Sequence, residues 1–173
     1  MTNGGHVRLR REGAGDHVAV HALHVAAFGS SLEADLVDAL RPAASPLVSL
    51  VADASGLVTG HILFSPVVLP GHDGLRLMGL GPMAVLPARQ RAGIGSALVR
   101  AGLEACRDIG AGAIVVLGHP RFYPRFGFAP AARLGLRCAY DAPEDAFMVV
   151  ELERGHLDGA TGIVAYHPAF DRV

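Results

Sequence analysis

Gly79-Leu80-Gly81-Pro82-Met83-Ala84-Val85-Leu86-Pro87-Ala88-Arg89-Gln90-Arg91-Ala92-Gly93-Ile94-Gly95 is an apolar extended segment that runs into a glycine-punctuated turn. From Ile94 onward Ala97, Leu98, Ala101, Ala105 and Ile109 recur at helical spacing. Ser96, Arg100, Glu104 and Arg107 fall on the opposite face, and Gly110 follows as a helix stop. The order is strand, loop, helix.

The first turn of a helix carries unpaired N–H groups and roughly half a unit of positive charge, which attracts anions. Gly93 and Gly95 lack Cβ atoms, so phosphate oxygens can approach the backbone there, and Arg89 and Arg91 add formal charge. The expected ligand is a phosphate or diphosphate. A P-loop is excluded because the chain contains no lysine. A dinucleotide fingerprint needs a third glycine, where Leu98 stands, and an acidic residue about 20 positions on, where the strand Ala113 to Leu117 ends in Gly118-His119.

Gln90-x-x-Gly93-x-Gly95, preceded by Met83-Ala84-Val85, resembles the acyl-CoA-binding motif of the GNAT superfamily of N-acetyltransferases. Farther on, Arg121-Phe122-Tyr123-Pro124-Arg125-Phe126-Gly127-Phe128 is similar to the family element in which a tyrosine stands four residues before Gly-Phe. The wording of Gly60 to Pro66, Arg125 to Phe128 and Gly162 to Phe170 resembles the YhbS-like branch.

That resemblance implies a mixed, mostly antiparallel central sheet with helices on both faces, acetyl-CoA as cosubstrate and an amine as acceptor. It implies cofactor contact by Met83, Ala84 and Val85 through their backbone, by the run Arg89, Gln90, Arg91, Ala92, Gly93, Ile94, Gly95 and Ser96, and by the region of His119. It makes Tyr123 the general acid that supplies a proton to the departing thiolate. Read without the resemblance, Tyr123 is equally a core aromatic among Phe122, Phe126 and Phe128. Dimerisation through a sheet edge or the carboxyl-terminal strands is common in the resembled family.

With 173 residues, 51% hydrophobic and 18% charged, the chain is expected to form one domain with a substantial core. A formal net charge of −1 offers no general attraction to nucleic acid or an anionic membrane, and no apolar run approaches the roughly 20 residues of a spanning helix. Met1 to His6 show neither a basic leader nor an apolar core segment, so a cytoplasmic location is the expectation. Cys106 and Cys138 are then ordinary buried or half-buried thiols.

In chain order, Val7 and Leu9 alternate with His6, Arg8 and Arg10 as a first strand. Asp16 is placed to cap a helix carrying Val18, Ala22, Val25 and Phe28 that Gly29 stops. Ser30 with Glu33 reads as a capping box for a second helix, lined by Leu32, Leu36, Val37 and Leu40 and ended by Arg41-Pro42. Leu47 to Asp53 and Leu57 to Ser65 form a hairpin. Leu75 to Val85 is an antiparallel neighbour with a bulge at Gly79, Gly81 and Pro82. Phe147 to Leu152 and Ile163 to Tyr166 are further strands. By the resemblance the helical pair flanks the acceptor cleft, whose walls should also include Pro66 to Gly74 and Ala129 to Pro143.

The strand Leu75 to Val85 has no carboxylate, so the family's usual general base is missing, with Glu33, His61 and His119 as substitutes. His17, His21 and His24 share a helix face that reads as solvated, and no metal is expected. Two functions are carried forward, an N-acetyltransferase and a non-catalytic acyl-CoA-binding module. A dinucleotide oxidoreductase is a distant third.

Overall fold

The computed structural model describes residues 6–173; Met1 to Gly5, most of the stretch read above for a leader, lie outside the described residues. Extended runs, near-continuously buried in β3, give β1 (Val7–Arg11), β2 (Val48–Ala54), β3 (Leu57–Val67) and β4 (Leu77–Val85), each antiparallel to the one before it. β5 (Ala113–Leu117) then joins β4 in parallel, because helix α3 (Ile94–Asp108) crosses over between them. β8 (Phe147–Glu151) and the two-residue β6 (Ala129–Pro130) complete a seven-stranded sheet in the order β1-β2-β3-β4-β5-β8-β6. β7 (Leu136–Cys138) and β9 (Gly162–Val164) form a separate parallel pair, tied to the end of β3 by a bridge between Val68 and Ala165.

Helices α1 (His17–Phe28) and α2 (Leu32–Ala43) cover one face, where Leu23, Leu36, Val37 and Leu40 pack on Val51, Leu63 and Ala84. Helix α3 covers the other. Its buried stripe is Ile94, Leu98, Val99, Leu103 and Cys106, packed on Ile62, Phe64, Met78 and Leu80. Ile109, placed on that stripe from the sequence, is 40% exposed beyond the helix end. The missed member is Gly102: a Cβ there would lie 2.2 Å from the Phe64 ring, so the bare helix surface seats that ring. Burial pushes the Cys106 thiol up to about 12, and both cysteines are free.

α1 starts after Asp16 and stops at Gly29 as read, but the Asp16 carboxylate does not bond the helix start; it accepts from the Gly13 N–H and pairs with Arg10, closing the preceding turn instead, and both ends of α2 differ from the sequence reading. The capping box at Ser30 and Glu33 is not formed, since α2 begins after Ser31, whose hydroxyl donates to Asp35. Pro42 lies inside α2, which runs to Ala43. Pro42 removes the ladder donor to the Asp38 carbonyl, and the helix ends two residues later, where Ala44 turns extended at ψ 140°.

Candidate functional site

The site begins where two parallel strands part. β4 and β5 pair from Leu77/Ala113 to Leu80/Val116 and no farther. Gly81 and Pro82 together stand opposite Leu63 between the pairs Ile62/Met83 and Phe64/Leu80, which is a bulge that bends β4 away. A cleft of about 1190 Å³ opens in the gap, floored by Leu80 to Val85 on one side and Leu117 to His119 on the other.

At one end of this cleft stands the start of α3. No side chain caps it, and the first intrahelical bond is Ala97 N–H to the Gly93 carbonyl, so the N–H groups of Ile94, Gly95 and Ser96 have no helical partner. Arg91 (φ 61°) and Gly93 (φ 86°) both adopt left-handed backbone, which folds successive N–H groups toward one concavity. Arg89, Gln90, Arg91, Gly93, Ile94, Gly95 and Ser96 line the cleft, whereas Ala92 sits in the same loop outside its wall. Gln90 has a structural task here: its amide Nε2 donates to the Val85 carbonyl at 3.1 Å and ties the loop back to β4. Sequence reasoning missed Phe122 and Arg125. The Phe122 ring lies beside the open face of Gly95, and the Arg125 guanidinium sits 4.9 Å above that ring, a further cation at this end.

Tyr123 opens the short 3₁₀ turn after β5 and reaches the cleft wall midway along it. Its ring is 94% covered and meets Phe122 and Phe128 edge-on, so the two sequence readings of this residue are compatible: the ring packs and the hydroxyl lies at the cleft. Burial alone pushes the phenol up to about 12, which keeps it protonated through the neutral range. His119 is exposed at the cleft rim.

The far end of the cleft is built from four separate segments: Ala27 and Phe28 of α1, Glu33 and Leu36 of α2, Tyr140 and Asp141, and Tyr166 with Phe170. The Pro66 to Gly74 connection, expected as a wall, takes no part; the carboxyl-terminal Tyr166 and Phe170 stand in its place. A Cβ on Gly79 would meet the Tyr166 ring at 2.9 Å, so this glycine of β4 is the seat of that ring. The helical pair and the Ala129 to Pro143 segment, both expected as walls, do line the cleft through Phe28, Glu33, Leu36, Tyr140 and Asp141, whereas Tyr166 and Phe170 were not expected there.

Among the three substitute bases, Glu33 and His119 line the cleft and His61 does not. His61 is fully buried under α1 and α2. Ser49 gives its one hydroxyl proton to Glu12, so its oxygen must accept from His61 Nε2 at 2.8 Å. His61 Nδ1 then accepts from His24 Nε2, also at 2.8 Å, and Arg41 closes the chain on Glu12. Burial, with His61 and Arg41 nearby, holds His24 down to about 3. Burial likewise depresses His61, against the pull of Glu12. Burial alone would raise Glu12, but its contacts with His61, Arg41 and Ser49 outweigh that and hold it well below the carboxylate range. The solvated histidine face of α1 is therefore corrected: His17 is exposed, His21 pairs with Asp38 at 2.7 Å, and His24 is in the core. Ligand atoms of His21, Asp35 and Asp38 do come within 4.8 Å of one another at the surface, a group that ordinary ion pairing accounts for.

A divergence of two parallel strands, closed by a helix whose bare N-terminus faces the gap, is the frame on which an acyl-CoA can lie, and the chain belongs to the GNAT acetyltransferases. Residues 47–130 match the acetyltransferase (GNAT) domain. The sequence is 40% identical over 158 residues to the uncharacterized N-acetyltransferase YhbS of Escherichia coli K12, covering 91% of this chain and 94% of that one. The crystal structure of E. coli YhbS in complex with CoA superposes with a TM-score of 0.90 at 38% identity, over 96% of this chain and 92% of that one. A GNAT family acetyltransferase from Brucella melitensis in complex with acetyl-CoA gives 0.80 at 39% identity, over 96% and 99%.

Proposed function

We propose that the protein is an acetyl-CoA-dependent N-acetyltransferase, a single catalytic domain in which an amine attacks the thioester directly. The observation that carries this reading is the cleft itself, which joins an uncapped, arginine-flanked helix start to a second pocket past a protonated phenol. The diphosphate lies on the N–H groups of Ile94, Gly95 and Ser96 with Arg89 and Arg91 beside it. The pantetheine amides run along the backbone of Met83, Ala84 and Val85, whose strand has lost its β5 neighbour and can pair with an amide chain. His119 borders the cofactor at the rim.

The neutral amine nitrogen forms a bond to the acyl carbon, the C–S bond breaks, and sulfur takes the Tyr123 proton. A phenol at about 12 is too weak an acid to surrender that proton outright to a thiolate of pKa about 8.5. The acylated nitrogen is itself acidic, and it returns a proton to the tyrosine oxygen as the first one leaves. The products are an amide and CoA thiol, and no separate base is required. That sequence fits a β4 without a carboxylate and a His61 committed elsewhere.

Release of CoA thiol over a panel of amines, with the mass gain of one acetyl group on the amine, tests the proposal. The second reading, a non-catalytic acyl-CoA-binding module, is favoured by that same missing carboxylate, and binding of CoA with no thiol release across the panel would establish it. A cytoplasmic enzyme without nucleic-acid or membrane partners is part of the proposal. Its support is the net charge of −1 and described helices that are all too short or too polar to cross a membrane.

A further inference from the structure

We infer that Gly118 is a positioning residue for the transfer step: its bare Cα is the seat that fixes the Tyr123 ring, and so sets where the phenol stands in the cleft. The inference rests on the reading of Tyr123 as proton donor in acetyl transfer and deepens it.

Gly118 follows Leu117, the last residue of β5, and lines the cleft. A Cβ built on it would lie 2.5 Å from Tyr123 Cε2, 3.2 Å from Cδ2 and 3.4 Å from Cζ, the three nearest atoms outside its chain neighbours. Cζ is the carbon that carries the hydroxyl. The missing side chain therefore points at the ring, and the edge next to the hydroxyl occupies the space that a Cβ would take. Non-bonded carbons settle at about 3.5–4.0 Å, so any side chain at this position forces a displacement of about 1 Å.

The geometry decides which partner yields. The end of β5 is tied down, since Leu117 pairs with Phe147 of β8 and the Gly118 N–H donates to the Ala146 carbonyl at 2.9 Å. Nor does the turn itself call for glycine, because Gly118 is not in left-handed backbone. The ring is rigid, with Phe122 edge-on at 5.0 Å and Phe128 at 5.6 Å, so it cannot absorb the collision by bending. It must tilt as a body, and the hydroxyl at its far end moves with it. Proton transfer to sulfur needs the donor within hydrogen-bond reach, and a misplacement of about 1 Å can cost about 10²-fold in rate.

The test is a double-mutant cycle on the intact protein, with acetyl-CoA and the amine of highest turnover in the panel: wild type, Gly118→Ala, Tyr123→Phe and the two together. Gly118→Ala should lower kcat by at least about tenfold and leave KM for acetyl-CoA within about twofold. In the Tyr123→Phe background the same substitution should change kcat by less than about twofold, because no proton remains to be misplaced. A glycine needed only for packing would act equally in both backgrounds. That result, or a wild-type kcat in Gly118→Ala, overturns the inference while leaving the acid role of Tyr123 standing. A wild-type kcat in Tyr123→Phe, or no thiol release with any amine, removes the catalytic reading and the inference together. Should Gly118→Ala fail to fold, proton NMR of the wild type decides: two separate Hε signals for Tyr123, only one with a cross-peak to Gly118 Hα, support the seat, and a single averaged signal overturns it.

Discussion

The two ends of the cleft are made in different ways. The end at α3 comes from one continuous run, Met83 to Ser96, with Phe122 and Arg125 added from the next loop. The end past Tyr123 is assembled from α1, α2, Tyr140-Asp141 and the carboxyl-terminal Tyr166 and Phe170, which meet only in the folded chain. An anion cradle can be written into a single turn, because backbone N–H groups and a helix start do the binding and need glycine in particular places. A pocket for a variable acceptor depends on side chains that converge from distant segments. The first is legible as a local motif. The second is not.

Tyr123 stands where the ends join, and its loss should have the largest effect. Tyr123→Phe keeps the ring among Phe122, Phe126 and Phe128, so folding should persist, while kcat falls by about 10²–10⁴-fold with little change in CoA affinity. A wild-type kcat, with chemistry shown to be rate-limiting, would make the residue a packing group only. Because the phenol titrates near 12, ionisation of Tyr123 should cause no alkaline loss of rate below about pH 10.

Gly95→Val isolates the cofactor end. A Cβ at Gly95 meets Phe122, Val85 and Met83 only at 3.8–3.9 Å, and the residue's backbone is ordinary, so the fold should tolerate it. Gly93 is a poorer probe because its φ of 86° penalises any side chain. Crowding the cradle should weaken CoA binding by about 10–100-fold, the value of a charge-assisted hydrogen bond, with little change in Tm. Unchanged affinity by calorimetry would remove the α3 start as the phosphate site. Gly102→Ala supplies the contrast: its Cβ collides with Phe64 in the core under α3, so stability should fall by about 1–3 kcal/mol while CoA affinity of the folded fraction is retained.

The smallest effect separates the ends by pH. The acceptor end leans on α1, which is anchored by His24 and His61, whereas the described residues at the start of α3 include no such buried imidazole. His24 has a folded pKa of about 3, below its unfolded value near 6.5, so the unfolded state binds more protons and stability falls as pH drops below about 6.5 toward 3. Glu12, also depressed, adds to that fall only below the ordinary carboxylate range. Hydrogen exchange at pH 5 against pH 7.5 should show α1 opening more readily while α3 changes little. Equal loosening of both helices would show that the imidazole pair does not govern this side.

Much of the fold was readable because most of its longer elements carry local signals. Alternation marked β1, two extended runs marked the hairpin of β2 and β3, and Gly29 ends α1 in left-handed backbone where the sequence placed a stop. Capping bonds differed where side chains had better partners than the helix end: Asp16 stands at the start of α1 but bonds Arg10 and Gly13, and α2 starts one residue beyond the cap read at Ser30, with the Ser31 hydroxyl on Asp35. His24 misled because helical spacing shows which residues share a face but not that a neighbouring strand will bring His61 to meet it. Tyr166 was read only as the end of a strand, which in fact stops at Val164; its place in the cleft depends on the absence of a side chain at Gly79, 87 positions earlier in the chain.

The most direct test of the cleft as an acetyl-transfer site is a crystal structure of the protein with CoA. The account predicts the diphosphate on the Ile94, Gly95 and Ser96 N–H groups, the pantetheine arm beside Met83 to Val85, and the sulfur within hydrogen-bond reach of the Tyr123 hydroxyl. A diphosphate bound elsewhere, or a sulfur directed away from Tyr123, would contradict it.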